Sequence, residues 1–307
     1  MNKELDLTGN QLSALPEALK DLVGLEKLSL DDNQFSVLPE GIGQLTNLET
    51  LSLYKNQLAS LPESIWKLTD LRVLNIADNQ ISYLSEDIGY LTNLHMLDLG
   101  HNQLTFLPES LGKLKNLRFL YLSNNRLASL PSSLPNLKEL IYLNATDNQL
   151  SSLPENMINL PGLLELRLYN NQLASLPNSL AGLGVLKELH LMNNCLASLP
   201  ESIGSLKSLK KLDLENNRLA SLPDSIVNLS NLTDLNLRNN MLTSLPASLG
   251  SLRSLRFLDL RANKLTSLPA SIGELKNLEK LDLRWNKLSP PPTWIKGLEK
   301  QGCIVFV

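Results

Sequence analysis

The most constraining feature of this sequence is a repeat that never slips. The segment LDLTGNQLSALP, from Leu5 to Pro16, returns as LSLDDNQFSVLP from Leu28, LSLYKNQLASLP from Leu51 and LDLRANKLTSLP from Leu258. Its first leucine recurs every 23 residues from Leu5 to Leu281, giving 13 copies without insertion or deletion. A fixed step of this length makes residues 23 apart spatial neighbours in a stack of like turns, because one repeat cannot bury its own leucines and successive repeats can. The alternation L-x-L has the period of a strand, so Leu5 and Leu7 face inward and Asp6 faces the other side. The following stretch, Pro16 to Leu25 in the first copy, carries Leu19, Leu22 and Leu25, a spacing of three that suits a short 3₁₀ or α segment outside the sheet.

Two polar columns belong to this framework. Asn10, Asn33, Asn56 and the ten that follow to Asn286 occupy one position in every copy. A buried amide needs partners, and asparagine offers both donors and an acceptor to neighbouring backbone turns. The proline column from Pro16 fixes φ where the outer segment starts, with Ser85 as its exception in the first twelve copies.

The full pattern, L-x-x-L-x-L-x-x-N-x-L-x-x-L-P-x-x-I/L-x-x-L, resembles the leucine-rich-repeat family in its 23-residue class. It is similar to bacterial leucine-rich proteins and to the repeats of the Scribble, Erbin and Ras-scaffold proteins of animals. The resemblance spans essentially the whole chain. It implies an α/β solenoid, a horseshoe with a parallel concave sheet of 13–14 strands and short 3₁₀/α segments on the convex side. One domain over residues 1–307 is expected. Residues 289–307, with Trp294, read as a C-terminal cap and a final strand in which Ile304 and Phe306 take the next L-x-L positions. No N-terminal cap is visible before Leu5, so association through that edge is one expectation; the sequence leaves the oligomeric state open.

Composition narrows the partner class. The 307 residues are 43% hydrophobic and 19% charged, with a formal net charge of -3. That balance disfavours nucleic acid. No apolar run reaches the roughly 20 residues of a membrane helix, and the start lacks the apolar core of a signal peptide. Two distant cysteines, Cys195 and Cys303, form no disulfide framework, which points to a reducing compartment or a bacterial origin. The chain is therefore read as cytoplasmic, or as secreted or host-delivered if it is a bacterial effector.

A protein ligand on the strand face is the leading functional reading. The column before the strand leucines is mostly charged but turns apolar at Val73, Met96, Phe119 and Tyr142, with Tyr121 alongside. Small residues, Ala77, Gly100, Ser123 and Thr146, stand two columns over and imply a shallow groove; Tyr83 and Phe106 lie on the nearby edge. An exposed apolar patch with aromatic anchors marks a binding surface. His101, Asn144 and Tyr169 form its rim. A second candidate surface is the column Arg238, Arg261 and Arg284 with Trp285. Those arginines either clamp carboxylates on a partner or are satisfied by the neighbouring column of Asp213, Asn236, Asp259 and Asp282.

Other chemistries find little support. His95, His101 and His190 have no Cys, Asp or Glu at a metal-ligand spacing along the chain. No phosphate loop or nucleophile elbow occurs, and Cys195 has no base near it in sequence. No cofactor and no enzyme activity are expected. Two alternatives remain beside the binding module: a bacterial effector recognising a host protein, and a sensor of a small ligand or glycan at Ala145, where alanine replaces a core leucine.

Overall fold

The computed structural model describes residues 3–15 and 22–307, less the side chains of residues 156 and 158. The outer segment expected from Pro16 through Leu19 lies outside the described residues. The chain divides into two compact units, Met1–Gln149 and Leu150–Val307.

Each repeat contributes one three-residue strand. The first unit holds β1 (Glu4–Asp6), β2 (Lys27–Ser29), β3 (Thr50–Ser52), β4 (Val73–Asn75), β5 (Met96–Asp98), β6 (Phe119–Tyr121) and β7 (Tyr142–Asn144). The second holds β8 (Glu165–Arg167), β9 (Glu188–His190), β10 (Lys211–Asp213), β11 (Asp234–Asn236), β12 (Phe257–Asp259), β13 (Lys280–Asp282) and β14 (Ile304–Phe306). Within each unit the strands follow chain order and pair in parallel, with a step of one repeat up to β13, so Val73 opposes Met96 and Phe119 opposes Tyr142. Parallel pairing at this step puts the central leucines in one inward file, where Leu51, Leu74, Leu97 and Leu120 are fully buried. Burying each such side chain stabilises by about 1.5–3 kcal/mol.

The outer segments are 3₁₀ turns such as Glu40–Gln44 and Glu63–Lys67. Pro39 precedes its turn with φ -73 and ψ 152, in extended backbone. The ring thus sets the approach to the turn and lies outside it.

The asparagine column is the internal scaffold expected of it. Asn125 Oδ1 accepts from the Leu104 amide at 2.9 Å, while Nδ2 donates to the carbonyls of Leu99 at 2.9 Å and Leu122 at 3.1 Å. One side chain thereby ties two successive turns. The residue before each of these asparagines has positive φ, from Gly9 at 72° through His101 at 52° to Trp285 at 62°. Asn and Asp fill most of that column, as their tolerance of the left-handed region favours.

At the C-terminal end the structure corrects the sequence reading. Leu281 pairs with Val305, a step of 24, and Ile304 pairs with Lys280. The outer segment before β14 is an α-helix, α1 (Ile295–Lys300), with Ile295 and Leu298 buried. The one-residue slip turns Ile304 and Phe306 to the exposed face, 59% and 37% exposed, and gives the inward place to Val305.

The outer turns stack closely where glycine stands. A Cβ on Gly250 would overlap the Ser271 carbonyl oxygen, whereas one on Gly41 would meet open space. Gly250→Ala is expected to cost about 3 kcal/mol, at the upper end of overpacking. Gly41→Ala should change stability by less than about 1 kcal/mol. Urea midpoints of the two variants check this, and equal midpoints would refute it.

Candidate functional site

In the first unit, register brings the expected apolar residues together. Val73, Met96, Phe119 and Tyr142 form one row across β4 to β7. Phe119 is 36% exposed and the other three are half-buried. Side chains alternate across a strand, so this row stands on the face opposite the buried leucines. Tyr121, at the end of β6, lies with its ring centroid 5.1 Å from that of Tyr142, tilted by 42°. Tyr83 and Phe106 make a second pair at the strand edge, 5.7 Å apart and edge to face.

The rim residues are ordered by the framework. His101 is exposed on the left-handed position of its repeat, and its Nε2 lies 3.3 Å from Asn124 Nδ2. Asn144 uses its Oδ1 to accept from the Thr146 amide at 3.1 Å. Tyr169 belongs to the second unit and is half-buried.

Asp98 is a member of this face that the sequence reading missed. It opposes Tyr121 in the sheet. Burial pushes its carboxyl up from the ordinary range, partly offset by the Gly100 amide that donates to Oδ1 at 2.9 Å. Gly100 makes the room: a Cβ there would sit 3.2 Å from that oxygen. The signal was present in the column one residue past the strand leucines, where Asp98 stands among Asn75, Tyr121 and Asn144.

In the second unit the arginine column is committed to its own acids. Arg238 pairs with Glu215 at 3.4 Å, Arg261 Nε with Asp259 at 2.9 Å, and Arg284 Nη2 with Asp282 at 2.6 Å. Arg261 and Arg284 thus pair with the neighbouring acidic column, whereas Arg238 pairs with Glu215, one repeat earlier in the arginines' own column. Arg284 also lies over the rings of Trp285 and Phe306, 5.5 and 4.8 Å from their centroids. Trp285 is 64% exposed. A groove of about 230 Å³ opens beside this ladder, lined by Lys211, Asp213, Asn236, Phe257, Asp259 and Lys280 among others.

Stacking also changes the reading of one histidine. His190 has Glu188, two residues before it on β9, at 3.0 Å, and stacking adds Glu165 of β8 at 3.9 Å. His95 and His101 are exposed. Cys195 and Cys303 are free thiols, the second buried.

A family model described as a leucine-rich repeat region matches residues 62–140 and 177–255. Related leucine-rich repeat models match residues 24–81, 254–275 and 277–298. This chain belongs to the leucine-rich repeat family. No curated protein matches it. Among solved structures, a leucine-rich repeat protein of Leptospira interrogans is 32% identical, with a TM-score of 0.67 over 99% of this chain and 95% of that one. The leucine-rich repeat ectodomain of a receptor kinase from Arabidopsis thaliana, solved in complex with Casparian strip integrity factor 2, is also 32% identical. Its TM-score is 0.74 over 96% of this chain and 40% of the ectodomain chain. An internalin of Listeria monocytogenes, at 24% identity and a TM-score of 0.82 over 99% and 86%, shares the fold. Leucine-rich repeat proteins are commonly protein-interaction modules and are typically not enzymes. Among the described residues, no helix of this leucine-rich repeat protein is long and apolar enough to cross a membrane.

Proposed function

We propose that this leucine-rich repeat protein binds a protein partner through the strand face of β4 to β7, without catalysis. The observation that carries this reading is the unbroken row Val73, Met96, Phe119 and Tyr142, partly exposed where most other repeats hold charge. Tyr121 and Tyr142 supply a paired aromatic anchor, and aromatic side chains on a partly desolvated face dominate binding energy. His101 and Asn144 serve as a polar rim, and the Asp98 carboxyl adds an acceptor beside Tyr121. The Arabidopsis receptor ectodomain, with its bound factor, supports the use of such a scaffold for a peptide or protein. The surface of Arg238, Arg261, Arg284 and Trp285 has its charges engaged internally, so Trp285 is its main offer to a partner.

Phe119→Asp combined with Tyr142→Asp is expected to weaken partner capture at least 100-fold, since each anchor carries on the order of 2 kcal/mol or more. The fold should tolerate both, because Glu4 and Asp234 hold the same column elsewhere. Cross-linked capture by the intact chain, compared with the double variant and with both thermal unfolding curves, tests this. Undiminished capture by a folded double variant would reject the assigned face.

A further inference from the structure

The Glu165, Glu188 and His190 cluster lies in the second unit and plays no part in the function proposed above. Glu165 opposes Glu188 across β8 and β9, and His190 stands two residues past Glu188 on the same side of its strand. One donor atom from each lies within 4.8 Å of the others. His190 is 6% exposed, held against the sheet with Nε2 turned to the carboxylates. The Glu188 side chain is 43% exposed, so the group is open to solvent on one side.

We propose that Glu165, Glu188 and His190 bind a divalent transition-metal ion of the zinc class. One imidazole nitrogen with two carboxylates balances the ion's charge, and a histidine donor favours such metals over magnesium or calcium. Donors at 2.0–2.2 Å in a tetrahedral site stand about 3.4 Å apart. The two distances from His190 Nε2, 3.0 and 3.9 Å, bracket that value, so small rotamer shifts close the site. Three protein ligands leave the fourth position to water or to a donor from another molecule. The surrounding charges are mixed. Arg167 Nε holds Glu165 Oε1 at 2.5 Å. Lys211 opposes Glu188, and Asp213 opposes His190. Arg167 is thus the cation that a metal must displace or share the carboxylate with.

Isothermal titration of the untagged full chain with zinc chloride, and separately with magnesium chloride, tests the site. One equivalent of Zn²⁺ is expected to bind in the micromolar range, with no saturable heat from Mg²⁺. Glu188→Gln and His190→Gln should each weaken Zn²⁺ at least tenfold, and His95→Gln should leave it unchanged. Glu188→Gln, at a half-exposed position, keeps the test valid if the histidine variant does not fold. Failure of the wild type to bind Zn²⁺ stoichiometrically, equal binding of Mg²⁺, or indifference to Glu188→Gln would each overturn the proposal. His190 would then be a hydrogen-bond partner of Glu188.

Discussion

Asn125→Ala is expected to remove about 3–5 kcal/mol of stability, the largest effect of any single exchange considered. The Leu104 amide loses its acceptor, and the carbonyls of Leu99 and Leu122 lose a donor, all away from water. Each buried polar group left unpaired costs about 1–3 kcal/mol. Set against the 5–15 kcal/mol of a typical fold, that is about a fifth of the total or more. Asn125→Asp should not rescue it, since a carboxylate accepts from Leu104 but has nothing to donate to the two carbonyls. Denaturant titration measures the loss, and hydrogen exchange at the Leu104 amide locates it. A loss under about 1 kcal/mol, with that amide still protected, would show that water or a backbone shift replaces the side chain.

The second large effect concerns Asp282, whose side chain is 1% exposed. Burial pushes its carboxyl up, but hydrogen bonds from the Arg284 side chain and backbone, with the charges of Arg284 and Arg261, outweigh burial and hold it below the ordinary range. Arg261→Met with Arg284→Met leaves that carboxylate buried with no guanidinium beside it, costing about 3 kcal/mol at neutral pH. The sign with pH follows. A carboxyl lowered by folding contributes its stability above the unfolded value, about pH 4, and loses it as pH falls through the folded value. The double variant has no such contribution to lose, so its deficit against the wild type should narrow on acidification. Denaturation at pH 7 and well below pH 4 measures both. A deficit that stays constant would mean the arginines act by packing alone.

Much of this protein was legible along the chain, because a period of 23 is both a sequence property and a stacking instruction. The Val73 to Tyr142 row could be written down before any coordinates, since each residue opposes the one a repeat later. The asparagine ladder followed from the cost of burying an amide without partners. The left-handed column was less visible: its excess of Asn and Asp is a signal, yet His101, Ala262 and Trp285 share it.

Regularity also misled where it stopped. Counting 23 past Leu281 put Ile304 inward, and α1 needs one residue more than a 3₁₀ turn, so Val305 took the place. The period says which residues are neighbours, but helix type, and so register after it, depends on packing against the preceding repeat. Likewise the sequence set Glu165 and His190 25 residues apart, with no local motif to join them. What the sequence alone determined is the stack: its leucine files, its amide ladder and the composition of each exposed column. What tertiary structure decided is which columns neutralise one another, as Arg284 does Asp282, and which converge, as Glu165, Glu188 and His190 do. The reason is physical: periodicity fixes the backbone step, whereas charge pairing and ligand convergence depend on rotamers and on the burial that neighbouring strands impose.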